Sequence, residues 1–227
     1  MSHADTGMRV AGSWLALAAI ILAVALVFHG PIAPDSSVQM QNIADGSLRW
    51  TVVHWAAAAA LSFFAIAGLI ALTAGSRLTR EWWTLSAWGL LPVGALWTVT
   101  TAVAEATMIY HAAVRENRAV FETWRLFAEG SANGFAAMAL AFAVIAADEA
   151  RADSGATPFW ASSIGAIASL ASFAGWALAM WLGLPFGAPI WVVGSIVMCL
   201  WLVWFGLSLA RAEVGRAGIR RDTPSAA

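Results

Sequence analysis

Residues 10–29 read VAGSWLALAAIILAVALVFH and contain no acidic, lysine or arginine side chain. A helix needs about 20 mainly apolar residues to cross the hydrocarbon of a bilayer, so this stretch is long enough to span a membrane. It follows Arg9 and is closed by Gly30-Pro31. A cleaved signal peptide is disfavoured, because its apolar core would have only about 7–15 residues. We therefore expect a retained membrane span.

Five further stretches share this length and apolar character. They are residues 51–74, 84–110, 120–147, 158–182 and 190–210. Pro92 lies inside the third, where we expect a kink rather than an end of the helix. The pattern predicts an all-α, polytopic transmembrane bundle of six helices. Residues 1–211 form its single domain, and residues 212–227 form an arginine-containing cytoplasmic tail.

The composition excludes several other classes of protein. The chain is 61% hydrophobic and 11% charged, whereas soluble domains are about 25% charged. The net charge of −1 gives no reason to expect nucleic acid as a partner. All 12 cationic side chains are arginine, and a chain without lysine cannot form the Schiff base of a retinal protein or a pyridoxal enzyme. The single cysteine, Cys199, lies in an apolar run and is expected to be a buried packing residue.

The arginines predict the orientation, because short cytoplasmic loops carry an excess of positive charge. With the N-terminus inside, the inner segments carry Arg9, Arg77, Arg80, Arg151, Arg211, Arg216, Arg220 and Arg221, and the outer segments carry Arg49, Arg115, Arg118 and Arg125. This balance predicts that both termini are cytoplasmic. Tail arginines are then expected to rest on anionic lipid headgroups. Tryptophans near the span ends fit an aromatic belt: Trp14, Trp82, Trp83, Trp160 and Trp204 inside, and Trp50, Trp55, Trp124, Trp181 and Trp191 outside.

Local motifs predict a short outer helix and close helix packing. Ser36-x-x-Gln39 is typical of a capping box and Gly46 of a helix stop, so a short interfacial helix is expected between them, with Val38 and Ile43 toward lipid or protein. Small residues at spacings of three and four predict close helix contacts in two spans. They are Gly165, Ala168, Ser172, Gly175 and Ala179 in the fifth span, and Gly130 and Gly134 in the fourth.

Ionisable residues within spans are costly and mark candidate functional sites. Here they gather in the predicted outer leaflet, and the inner leaflet has no matching set. One group consists of His29, His54, Glu105 and His111. A second group shares one helical face of the fourth span and consists of Glu122, Arg125, Glu129 and Asn133.

Several interpretations of this polar cluster remain open. Imidazole and carboxylate ligands suit zinc, copper(II) or non-haem iron, and two facing histidines suit axial ligation of haem, with Trp50, Trp55 and Tyr110 as pocket walls. Tight metal-ligand spacings such as His-x-x-x-His are absent from the sequence. On an ideal helix Glu105 and His111 point about 120° apart.

A second interpretation is structural. Arg125 is spaced to pair with Glu122 and Glu129, and the two outer histidines are placed to snorkel toward water. The stripe Gly94, Thr98, Thr101 and Glu105 is spaced as an interhelical hydrogen-bond seam.

A third interpretation uses the same stripe as a water-filled half-channel of a solute or proton transporter. Enzymatic activity is not favoured, because hydrolase, zinc-protease, nucleotide-binding and dinucleotide-binding motifs are missing from the sequence.

Two segments carry a resemblance to a known class. They are the turn Gly30-Pro31-Ile32-Ala33-Pro34 and Arg49-Trp50-x-x-x-His54, where the second span begins. With its six spans, the chain resembles an uncharacterised class of bacterial inner-membrane proteins known as a domain of unknown function. The resemblance implies a bacterial cytoplasmic membrane and no assigned activity. The sequence as a whole favours a membrane-embedded accessory or binding protein, partnered by the lipid bilayer and by a second copy or another membrane protein. A metal- or haem-binding redox component is the alternative.

Overall fold

A computed structural model of the chain describes residues 3–30, 32–152 and 155–211. These residues are helical and include no strand. Six helical segments are long and apolar enough to cross a membrane. The predicted all-α fold with six candidate spans is therefore confirmed. The predicted tail, residues 212–227, lies outside the described residues.

The structure extends the predicted spans by a few residues and adds short helices between them. The helices are α1 (His3–Phe28), α2 (Ser36–Asp45), α3 (Ser47–Ala74), α4 (Trp82–Ala104), α5 (Tyr110–Val114), α6 (Arg118–Ser131), α7 (Asn133–Arg151), α8 (Phe159–Trp176) and α9 (Gly187–Arg211). A π-helical turn, Glu105–Ile109, joins α4 to α5, and a second, Ala177–Trp181, extends α8. A 3₁₀ turn, Arg77–Thr79, precedes α4.

Proline and glycine positions shape two of the spans. Helix α4 continues through Pro92, as expected, and Gly68 of α3 makes room for it. A Cβ atom on Gly68 would lie 2.8 Å from Cδ of Pro92.

The fourth span is not the single helix predicted over residues 120–147. It consists of α6 and α7, which are separated at Ala132.

The six spanning helices form a closed ring. Helices α1, α3, α4, α7, α8 and α9 each pack mainly on their neighbours in chain order, and α9 returns to pack on α1. Side chains from all six fill the centre, among them the fully buried Leu15, Phe64, Trp88, Phe142 and Phe205. The ring is therefore a packed bundle, and Cys199 is buried within it as expected.

Small residues set the closest helix contacts. A Cβ atom on Gly94 of α4 would lie 2.6 Å from the carbonyl oxygen of Gly134 in α7. The predicted stripe on α8 faces α9, where Gly175 lies against the backbone of Trp191. The Gly130–Gly134 prediction is half correct, since a Cβ atom on Gly130 would meet nothing within 4 Å.

The two helical segments of one hairpin are longer than the other spans, and the tip of this hairpin covers part of one end of the bundle. The segments Trp82–Val114 and Arg118–Arg151 contain 33 and 34 residues, against 23 in Thr6–Phe28. At 1.5 Å per residue a 33-residue helix is about 50 Å long, well beyond the hydrocarbon thickness of about 30 Å. The hairpin tip packs with α2 around a separate apolar cluster that includes Ile43, Ile109 and Phe121.

Residues 32–45, which contain α2, are called the cap, and the end of the bundle that they cover is the cap end. The expected short helix is confirmed, and it ends at Gly46 as predicted. Its N-cap is Asp35, not Ser36, since Oδ1 of Asp35 accepts hydrogen bonds from the backbone N–H groups of Ser37 and Val38. Gln39 therefore does not complete a capping box. Its Oε1 instead accepts a hydrogen bond from the N–H of Ala33 at 2.7 Å.

Candidate functional site: a cavity beneath the cap

A cavity of about 170 Å³ lies between the cap and the bundle. Its polar lining consists of His29, Gln39, His54, Thr101, Glu105, Arg125 and Glu129. Its aromatic lining includes Trp50, Trp176 and Trp191. The cavity is thus lined by residues from the cap ends of the first two spans, from both π-helical turns, from α6 and from α9.

The structure brings together five of the eight predicted site residues at this cavity. His29, His54, Glu105, Arg125 and Glu129 line it. The other three lie elsewhere: His111 is exposed and packs on Tyr110, Glu122 pairs with Arg118 at 2.7 Å, and Asn133 binds tryptophans of α8 and its π-turn.

Two histidines form the side of the cavity next to α1 and α3. The ring centroids of His29 and His54 lie 4.9 Å apart, and the indole of Trp50 lies 4.4 Å from the ring of His54. His54 is only 6% exposed, so the expectation that it snorkels to water is wrong. Trp50 is 3% exposed and packs inside the molecule, not in an aromatic belt.

The hydrogen bonds of the two imidazoles fix their tautomers. Nδ1 of His54 donates to the carbonyl oxygen of Trp50 at 2.8 Å, and Nδ1 of His29 donates to that of Gly30 at 3.3 Å. A carbonyl oxygen only accepts, so each neutral ring carries its proton on Nδ1 and a lone pair on Nε2. His29 follows the last residue of the first span. Burial lowers its pKa below 6.5, and the charge of Arg49 lowers the pKa further, which favours the neutral ring.

Glu105 begins the π-helical turn, and its side chain lines the cavity. Its Oε2 is closed off from solvent and has no hydrogen-bond partner among the described residues. Its main-chain carbonyl accepts the indole N–H of Trp50 at 3.2 Å. Single π-turns inside α-helices occur frequently at functional sites. An unsatisfied buried acceptor beside a cavity is a position where a ligand donor fits.

Arg125 ties the cap to α6. Its Nε donates to Oε1 of Glu129 at 2.9 Å, so the predicted pair of these two residues is confirmed. One terminal nitrogen, Nη1, donates to the carbonyl oxygen of Pro34 at 3.1 Å and to Oγ of Ser36 at 3.3 Å. The predicted second partner, Glu122, is bound to Arg118 instead.

One residue of the predicted polar stripe, Thr101, forms the interhelical hydrogen bond that one interpretation expected. Oγ1 of Thr101 donates across to the carbonyl oxygen of Ala128 at 3.1 Å. One turn deeper, Thr98 bonds within its own helix to Gly94, and Gly94 lies directly against Gly134. A path from the cavity along this stripe would have to open that glycine contact.

Three residues of the cavity lining were not predicted from the sequence. Trp191 was assigned to the membrane belt, and Trp176 and Gln39 were not assigned to the site. Trp176 and Trp191 lie more than 70 positions after Glu105 in the sequence, and only closure of the helix ring brings them close to it. The predicted walls Trp55 and Tyr110 do not line the cavity.

The metal prediction remains untested by this geometry. In the parts of the chain that the structure describes, no three His, Cys, Asp or Glu side chains are grouped so that they could hold a metal ion. Two imidazoles with centroids 4.9 Å apart leave no space for a porphyrin between them, so axial ligation of haem would require them to separate. Comparison of the chain with family models, curated proteins and solved structures finds no match.

Proposed function

We propose that this protein is a membrane-embedded binding protein that holds a small polar ligand beneath its cap. The observation that carries the proposal is the unpartnered Oε2 of Glu105 at a cavity lined by two imidazoles. Buried polar groups in proteins are almost always hydrogen-bonded, so an orphan carboxylate oxygen indicates a partner that is not part of the chain.

The cap gives the cavity a removable cover. Its tether to α6 is one arginine, whose hydrogen bonds reach Pro34 and Ser36. Separating this ten-residue helix and its loop from α6 breaks these bonds and the apolar packing of Ile43 with Phe121, whereas opening the bundle itself would break packed helix contacts along its length. A ligand therefore has a route through the cap that leaves the bundle intact.

The proposal includes the location of the protein. We infer a bacterial inner membrane, with the cap end outside and both termini in the cytoplasm. The distribution of arginines supports this orientation, because Arg77, Arg80 and Arg151 all lie at the end opposite the cap. The ligand would then reach the cavity from the outer side.

A metal-binding role is the second candidate, and the histidine tautomers favour it. Metal-ligating histidines usually donate the other ring N–H to a carbonyl or carboxylate, as Nδ1 of His29 and His54 both do. Metal analysis by mass spectrometry, with an absorption spectrum, on protein purified without chelator tests this role. A stoichiometric metal that His54→Ala removes would support it, and a metal-free, colourless sample would count against it.

The binding proposal is tested by thermal unfolding of the detergent-solubilised protein with small solutes of different classes. The set comprises n-pentylamine, pentanoate, pentan-1-ol and zinc chloride. A ligand present at about 100 times its Kd stabilises the folded state by about 2.7 kcal/mol. We expect at least one solute to raise the unfolding temperature of the wild type in a saturable way and to fail with Glu105→Gln.

Glu122→Gln is the matched control, since Glu122 is a carboxylate at the same end of the bundle that does not line the cavity. It should respond as the wild type does. If every solute leaves the unfolding temperature of the wild type unchanged, the cavity is not a binding site for these classes and the proposal fails.

A further inference from the structure

We propose that the ligand is a small primary amine, bound as its ammonium ion with an apolar tail; this inference rests on the proposed function. The cavity is lined by an unpartnered carboxyl oxygen, two imidazoles, aromatic walls and an apolar recess. Each of these features selects one part of such a molecule.

The cavity offers free hydrogen-bond acceptors. Oε2 of Glu105 has no partner, and Nε2 of His29 and of His54 carries a lone pair with no hydrogen-bond partner among the described residues. An ammonium group has three N–H donors and no acceptor. It therefore suits a lining that offers free acceptors better than a carboxylate or an ether does.

The donors that line the cavity are mainly used within the protein. Arg125 donates to Glu129, Pro34 and Ser36, and Thr101 donates to Ala128. The indole N–H of Trp176 donates to Oδ1 of Asn133 at 3.3 Å. The N–H of Trp191 is buried without a partner in the described part of the chain. The side chain of Gln39 acts there only as an acceptor, and Arg125 uses only Nε and Nη1. An anionic ligand would leave the carboxyl group of Glu105 without a counter-ion.

The charge and the aromatic lining favour a cation. The carboxyl group of Glu105 has no cation within ion-pair distance in the described structure, so an ammonium group would supply the counter-charge that a buried carboxylate needs. Trp50, Trp176 and Trp191 line the same cavity. Tryptophan is the side chain whose ring face attracts an ammonium group most strongly, and the attraction increases where water is excluded.

The size of the cavity and its apolar recess define the carbon chain of the ligand. A cavity of about 150 Å³ accommodates benzene in an engineered protein. The present cavity, about 170 Å³, therefore suits a molecule of about six to eight non-hydrogen atoms. Ile43, Ile109 and Phe121 provide the apolar surface for its carbon chain.

The test compares n-pentylamine with pentan-1-ol and pentanoate, which have the same chain length but a neutral or an anionic head group. Binding to the purified full chain in detergent is followed at neutral pH by tryptophan fluorescence and by the unfolding temperature. We expect saturable binding of the amine and at least about tenfold weaker binding of the alcohol, because charge-assisted hydrogen bonds are about twice as strong as neutral ones.

Two variants identify the site. Glu105→Gln should weaken amine binding by at least about tenfold, since it removes the charged acceptor. His29→Leu, at a half-buried position, tests the same site if Glu105→Gln does not fold, and should weaken binding severalfold. Glu122→Gln should bind as the wild type does.

The outcomes separate the two proposals. If pentanoate or zinc chloride binds and n-pentylamine does not, the amine assignment is overturned and the binding function stands. Equal binding of the amine and the alcohol also overturns the assignment. If none of the solutes binds, both proposals fail.

Discussion

The carboxylate of Glu149 binds Arg77 at 2.6 Å and also accepts hydrogen bonds from the backbone of the loop before α8. Its side chain is fully buried, whereas that of Arg77 is 36% exposed. The loop donors are the N–H groups of Ala156 and Thr157. One side chain at the end of α7 thus joins the connections that precede α4 and α8.

We expect Glu149→Ala to destabilise the protein. Leaving a buried donor unsatisfied costs about 1–3 kcal/mol, and Ala156 and Thr157 would both lose their acceptor. The unfolding temperature in detergent, followed by tryptophan fluorescence, measures the effect. Glu81→Ala is the control, because Glu81 is exposed and its side chain makes no capping bond. Equal unfolding temperatures for the two variants would argue against a structural role of Glu149.

The contact between Gly94 and Gly134 predicts opposite effects of two alanine substitutions four residues apart. Gly134→Ala forces α4 and α7 apart, and overpacking of this kind costs about 1–3 kcal/mol. Gly130→Ala meets open space and is expected to be neutral or to stabilise the helix by up to about 1 kcal/mol. Folded yield and the unfolding temperature of both variants check this, and a Gly134→Ala protein as stable as wild type would contradict the contact.

Arg125 and Arg118 provide a matched pair for testing the tether of the cap. Both form an ion pair with a glutamate four residues later, but only Arg125 also binds Pro34 and Ser36. Arg125→Gln is expected to speed amide hydrogen exchange in α2 about tenfold or more, since bonds to charged groups contribute about 1.5–3 kcal/mol. Mass spectrometry of the exchanged peptides measures it. Arg118→Gln should leave α2 unchanged, and similar exchange in the two variants would mean that Arg125 does not hold the cap.

The proposed orientation is tested with introduced cysteines. Cys199 is buried, so it gives little background with a membrane-impermeant maleimide. Gln41→Cys in the cap is expected to react in intact bacterial cells, and Glu81→Cys only after the cells are permeabilised. Both positions are exposed. The reverse pattern would put the cap end in the cytoplasm.

The sequence predicted the spans well because a span is defined by local properties. Length, apolar character and the charges or glycines at each end are enough to find six helices to within a few residues. The helix break at Ala132 was missed, because it interrupts hydrogen bonding without interrupting the apolar pattern that follows it.

The site was predicted only in part, because its walls depend on packing. Depth along the spans correctly grouped His29, His54 and Glu105, since residues at similar depth lie at the same end of a bundle. The π-turn at Glu105 was not predictable from an ideal helical periodicity, and one extra residue per turn changes the direction of every side chain after it. Glu149 was not assigned a role, because it follows the apolar run of the fourth span and its partners, Arg77 and the loop before α8, are distant in the sequence.

The closed ring of helices has a consequence for biosynthesis. Of the six spans, α1 is made first and α9 last, yet Gly12 of α1 lies directly against Gly206 of α9. The face of α1 that carries Gly12 therefore lacks its final partner in the bilayer until four other spans have been inserted. A nascent chain halted before α9 exposes two small-residue faces to lipid, one on α1 and one on α8. Assembly is then completed by a single late event, the insertion of α9 between its two neighbours.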